Sequence, residues 1–366
     1  MATTYIYTID IHMSRKNALR ATFVNIPFQG ASEGQTDEVI FSNQKIKMKA
    51  IRTRRFTITD VFKSRTNTLY VLILKSLIYL YAYNKTYINI NSITFTRTSL
   101  KRKKTEKQVY TFSNDEKPIE GEFVFPYDLP ECVLNEIWEE NREGDNLRIV
   151  LTHYLRALSS DDRSYAFECH WRSFEQLCLF HNRIDSDNND FTALGEMRRF
   201  ICFNQLYFTD AITFANRISL RRFMAFDWEG YVRNEYPTLA ETRKPKKYTK
   251  VFRNHFVMCN RDLRVIEMLD SVLHIRSAEL QYHGVIGDIT NYISAHKLSQ
   301  EKCPEHVLCM LCCKYAYYLR NKMFHGEVPE FSFSFSNKTK ESMCLDTINL
   351  LLLNLNIELL LIHDRL

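Results

Sequence analysis

Between Phe112 and Leu147 the chain changes its hydrophobic period, and this change bounds the fold more tightly than any other feature of the sequence. Before it, apolar and β-branched residues alternate with polar or basic ones. Tyr5–His12, Val39–Phe41, Ile46–Ile51, Arg55–Val61, Tyr87–Arg97 and Gln108–Phe112 therefore read as strands. Residues 29–37 carry turn chemistry, and one helix interrupts the strands from Asn67 to about Tyr83, capped by Thr66 or Asn67. After Leu147 the spacing is helical, over 147–158, 163–182, 190–208, 210–224, 262–280, 284–296, 304–325 and 341–363. The expected fold class is α+β. A small β-rich α/β domain with one central helix covers 1–125, an acidic connector covers 126–146, and an all-α domain covers 147–366.

Low glycine and proline counts, 9 and 8 in 366 residues, argue against long unstructured stretches. Ten cysteines follow no framework spacing and no secretory signal pattern precedes them, so the expected setting is a reducing cytoplasm. Two apolar runs, Leu69–Tyr83 and Ile348–Ile362, fall short of the roughly 20 apolar residues a membrane span needs, and both read as buried helices.

The net charge of +6 is unevenly spread: residues 1–107 carry +13, residues 108–144 carry −8, and the remainder carries +1. A basic first part reads as a nucleic-acid surface. Its densest stretch, Lys101, Arg102, Lys103, Lys104 and Lys107, is a hairpin tip suited to phosphate contacts, with Tyr87, Phe95 and Tyr110 nearby as rings for base stacking. Lys246 and Lys247 lie in a second basic loop within the least regular stretch, 227–261, and are further candidates for RNA binding.

Chemistry concentrates at Tyr315–Glu327, where an aromatic helix runs into Arg320-Asn321, then His325-Gly326. Asn321 and His325 are one turn apart on a common face, and Gly326 is a natural helix stop. An arginine fixed in charge beside a histidine that titrates near neutrality suits work on a phosphodiester. Spacing alone is weak, because Arg148…His153, Arg163…His170 and Arg276…His283 share it. The added Asn, the Gly and the aromatic lead-in distinguish the last pair. A second pattern, Cys303-x-x-His306-x-x-Cys309-x-x-Cys312-Cys313, has zinc-type residues. Steps of three advance about 300° on a helix, so these would spiral round the axis instead of converging, and no metal is expected.

Arg320-Asn321-x-x-x-His325-Gly326 resembles the signature of the HEPN superfamily, helical-bundle domains common in prokaryotic defence systems, and Tyr165–Leu179 resembles that domain's first long helix. The resemblance spans about 145–366. It implies a metal-independent endoribonuclease of toxin or antiviral type, in which the ribose 2′-hydroxyl attacks the neighbouring phosphate. His325 would be general base or acid, Arg320 would hold the phosphate oxygens, and Asn321 would orient His325 or donate to the phosphate. No cofactor is called for. One motif copy per chain implies a homodimer with a composite site, and an antitoxin or regulatory protein is a further expected partner. Two rivals stand beside this reading: a non-catalytic RNA- or nucleotide-binding module, and a dimerisation scaffold serving the basic first domain.

Overall fold

The computed structural model describes residues 4–32, 34–112, 121–182, 190–237, 249–326 and 339–363, leaving out the side chains of 182 and 190–192. The architecture is α+β. Contacts divide the chain into two compact units, residues 1–161 with 363–365, and residues 162–362 with 366. The division thus falls after Asp161, and the helix Arg142–Leu158 belongs to the first unit together with the acidic segment before it.

In the first unit six antiparallel strands form one sheet in the order β2-β3-β4-β1-β5-β6. They are β1 (Tyr5–Met13), β2 (Ala21–Ile26), β3 (Asp37–Ser42), β4 (Lys45–Arg52), β5 (Ile90–Ser99) and β6 (Thr105–Thr111). Alternation along β4 buries Ile46, Met48 and Ala50 and leaves Lys47 and Lys49 exposed on the other face. The helix expected near Asn67–Tyr83 is present as Thr68–Asn84, with Asn67 accepting the N-cap bond from the Leu69 N–H. Its Tyr79 ring meets Phe23 at 4.8 Å and Phe41 at 5.6 Å, which places the helix on the sheet's apolar face. Arg55–Val61 corrects the strand reading. Thr57 and Asp60 form a capping box there, and the local donors it satisfies start a helix over Ile58–Lys63.

Two buried ion pairs fix this unit. Arg52 meets Asp37 bidentately at 2.6 and 2.7 Å and stacks over Phe28. Lys75, 1% exposed at its side chain, meets Glu140 at 2.6 Å and the Trp138 carbonyl at 2.6 Å. A charge withdrawn from water this far needs such partners, so Lys75 ties the central helix to the segment expected to be a connector.

In the second unit the long helices Arg163–Asn182 and Lys340–Leu361 lie side by side and parallel. Arg163 meets Asp346 at 3.0 Å, and Asn356 Nδ2 donates to the His170 carbonyl at 2.9 Å. Among the described residues only Lys340–Leu361 is long and apolar enough to cross a membrane, and 67% of its apolar window is buried inside the unit as core. Other expected helices are present but broken. The stretch 262–280 is Leu263–Val272, a 3-10 turn at Leu273–Ile275, then Ser277–Tyr282. The stretch 227–261, the least regular by sequence pattern, contains the helix Trp228–Glu235 and a π-helical segment, Phe252–Val257.

Glu358, 4% exposed, reaches across to accept from the N–H groups of Asp210 (2.7 Å) and Ala211 (3.2 Å). It caps the helix Thr209–Arg217, whose own N-cap residue, Phe208, has no side-chain acceptor. Burial nevertheless pushes its carboxyl up to about 7 from an ordinary 4.5. A folded value above the unfolded one means that folding takes up a proton in this window. Stability contributed by Glu358 is therefore greatest at low pH and is lost as pH rises from about 4.5 to 7. We predict that, relative to Glu358→Gln, the wild-type thermal midpoint falls by a few degrees across that range. A pH-independent difference between the two proteins would contradict this.

Candidate functional site

The helical run that carries the motif begins at Pro304, with Cys303 as its N-cap residue, and ends at Phe324. Proline suits the first turn, where its missing N–H costs nothing. Leu308, Cys309, Leu311, Cys312 and Ala316 are at most 2% exposed, and from Val307 to Ala316 every residue but Lys314 is buried, so this part of the run is core. Across Met310–Tyr315 the pitch widens into a π-helical segment before α-helix resumes at Ala316.

The run surfaces at its end. Arg320 and Asn321 are half-buried, and Phe324, His325 and Gly326 are exposed. His325 is the C-cap, its N–H donating to the Asn321 carbonyl at 3.0 Å, and Gly326 takes φ 67°, the left-handed turn that favours glycine. Arg320 Nη1 donates to Asn321 Oδ1 at 3.0 Å. Asn321 thus orients the guanidinium, where the sequence suggested that it orient the imidazole, and its Nδ2 remains as the donor side. The Arg320 guanidinium also lies 5.2 Å from the Phe324 centroid, and that ring lies 6.0 Å from the His325 ring. The structure therefore brings Arg320 and Asn321 into direct contact and joins His325 to them through the backbone and Phe324.

The other Arg…His spacings are structural. Arg148 donates to the carbonyls of Ile137 and Glu139 and pairs with Asp145. Arg163 pairs with Asp346, and His170 is 4% exposed, burial holding its imidazole down to about 3. Arg276 is enclosed by Glu279 and the carbonyls of Tyr236 and Pro237. Exposure at a helix end sets the fourth pair apart.

Sequence reasoning missed what lies beside the motif. Tyr318, Lys322 and His325 share a helix face with Asn321. Tyr318 and Lys322 line a groove of about 650 Å³ with Trp228 and Lys340. Lys322 carried a signal, being a cation within the motif at a step of three from His325. Lys340 carried none, because its approach depends on how the last long helix packs.

The zinc-type pattern splits. Cys309, Cys312 and Cys313 are buried, with Cys309 Sγ 3.9 Å from Cys202 Sγ. Cys303, Glu305 and His306 are the cluster among the described residues able to hold a metal, their donor atoms lying within 4.8 Å of one another. His306 Nδ1 accepts from the Arg261 N–H at 2.9 Å, so in the neutral ring Nε2 carries the proton and the lone pair a metal would need is already engaged.

In the first unit the hairpin between β5 and β6 puts Lys101, Arg102, Lys103, Lys104 and Lys107 in solvent. The aromatic half of that reading needs correction. Phe95 is 2% exposed because strand alternation turns it to the core. Tyr87 packs against Tyr81 and Phe123, and Tyr110 against Phe62 and Phe112. Lys246 and Lys247 lie outside the described residues. Comparison with protein-family models, with curated proteins and with solved structures gave no match.

If the hairpin cations touch phosphates, RNA affinity falls steeply with salt through counterion release. Replacing all five by Ser is predicted to flatten the slope of log affinity against log salt by up to about 0.7 per lost contact. An unchanged slope makes the hairpin a solvated turn.

Proposed function

We propose that the second unit is a HEPN-like helical bundle acting as an endoribonuclease, with Arg320, Asn321 and His325 as its catalytic residues. The observation that carries the reading is the helix end at Phe324–Gly326, where a guanidinium steered by Asn321 is followed, about one and a half turns on, by an exposed imidazole. The helix resembling the first of that bundle, Arg163–Asn182, packs on the motif helix, Trp171 meeting Tyr317 at 6.0 Å between ring centroids. The groove beside the motif, with Lys322 and Lys340 in its lining, has room for a nucleotide flanking the cut.

The chemistry needs no redox step. His325 removes the proton from the 2′-hydroxyl, or returns one to the departing 5′-oxygen, and Arg320 holds the phosphate oxygens as negative charge gathers. Asn321 would donate from Nδ2 to the same phosphate. The products are a 2′,3′-cyclic phosphate and a 5′-hydroxyl. Proton removal and proton donation need not share a residue, and a two-fold dimer would supply a second histidine. Cytoplasmic toxin or antiviral defence is the biological setting this activity fits, with an antitoxin or regulatory protein as partner.

His325→Ala and Arg320→Ala are each predicted to lower RNA cleavage by about 10²-fold or more while the thermal midpoint stays near wild type. Asn321→Ala is milder, since it loosens Arg320 and leaves the proton transfer intact. Undiminished cleavage by a folded His325→Ala protein overturns the assignment. For the composite site, mixed dimers of wild-type and His325→Ala protomers are expected to cut well below half the wild-type rate per dimer. A rate of one half means that each protomer works alone.

A further inference from the structure

Two segments of the second unit leave the α-helical pitch for a π-helical one, Phe252–Val257 and Met310–Tyr315. Such insertions cost hydrogen-bond geometry and recur at functional sites. Here each sends a titratable side chain to the same place. His255 from the first and Lys314 from the second line one cavity of about 210 Å³, with Arg198, Arg199 and Glu235 around it and Tyr231 and Tyr317 as walls. The cavity is separate from the motif: Lys314 precedes His325 by eleven residues, roughly 16 Å of helix rise.

The charges around it favour an anion. Lys314, Arg199, Arg198 and Lys250 all act on the His255 ring, which burial and these cations hold below its ordinary value. Among the described residues that line the cavity, the cations Lys314, Arg198 and Arg199 outnumber the carboxylates Glu196, bound to Arg199 at 2.7 Å, and Glu235, with Lys250 a further cation acting on His255. Burial also draws the Lys314 ammonium down and raises the Glu235 carboxyl. Both therefore sit where water is scarce and an incoming charge is weakly screened. Exposed His255 and Arg199 mark the mouth, and Tyr231 and Cys313 are buried.

We propose that this cavity binds a small phosphate monoester, its phosphate held by Lys314, Arg198 and Arg199 with His255 at the mouth, and its organic part between Tyr231 and Tyr317. A phosphate brings the negative charge that this cation-rich lining favours. The volume sets the size, since it falls below the about 300–1,000 Å³ typical of sites for drug-sized ligands and so selects a compact ligand over a nucleotide. The walls, aromatic and thiol, suit a short carbon body better than a bare ion.

The test uses the full chain, calorimetry at fixed ionic strength, and ribose 5-phosphate, inorganic phosphate and ribose as ligands. Ribose 5-phosphate is expected to bind, inorganic phosphate to bind more weakly and ribose not to bind. Lys314→Met and Arg199→Ala should each weaken ribose 5-phosphate binding by about tenfold or more, as expected for a hydrogen bond to a charged group. Arg199 is exposed, so Arg199→Ala carries the test alone if Lys314→Met does not fold. Absence of binding to the wild type overturns the proposal. So does wild-type affinity in folded Arg199→Ala. Because neither variant touches Arg320, Asn321 or His325, the outcome is independent of whether RNA is cut.

Discussion

Burial of one helical run governs the second unit. From Val307 to Ala316 the run supplies core residues at nearly every position, and the turns that follow must go wherever that packing sends them. The widened pitch at Met310–Tyr315 resets the register between the two halves. Without it, Tyr318, Asn321, Lys322 and His325 would point elsewhere around the axis. The same segment delivers Lys314 to the cavity on another side. One irregularity thus fixes two surfaces. The left-handed Gly326 then ends the helix where the imidazole reaches solvent.

The first unit solves a different problem. Its strongly basic stretch, residues 1–107, must form a core without burying unpaired charge, and it does so by splitting its cations by strand face. Lys47 and Lys49 stay outside, while Arg52 and Lys75 go in with Asp37 and Glu140. Since Glu140 and Trp138 come from the acidic segment 126–146, that segment is part of the unit's packing and not a tether. Removing one partner of such a pair costs more than the pair contributes, because the other is left charged and dry.

Legibility followed the range of the determining interactions. The sheet-forming strands β1, β3 and β4, the central helix and the two long helices were readable, because period and capping residues act within a few positions. Arg55–Val61 was misread because β-branched residues masked the Thr57/Asp60 capping box, itself a local signal. The strand Ala21–Ile26 was missed because only half of it is covered. The helix end at Arg320–Gly326 was readable. The Arg320–Asn321 bond, the groove at Lys322 and Lys340, and the cavity at His255 and Lys314 were not, since each depends on side-chain placement or on pitch changes that no residue pattern announces. Phe95 shows the converse error: its ring was noticed and its strand face was not.

The central claim is that the exposed end of this buried run attacks RNA through the substrate's own 2′-hydroxyl. It is tested most directly by changing the substrate. An RNA carrying a single 2′-deoxy nucleotide on the 5′ side of a mapped cut should be left intact at that position by the purified protein and cut normally at others. The products elsewhere should end in 2′,3′-cyclic phosphate and 5′-hydroxyl. Cleavage at the 2′-deoxy position, or products ending in 5′-phosphate, would contradict the account.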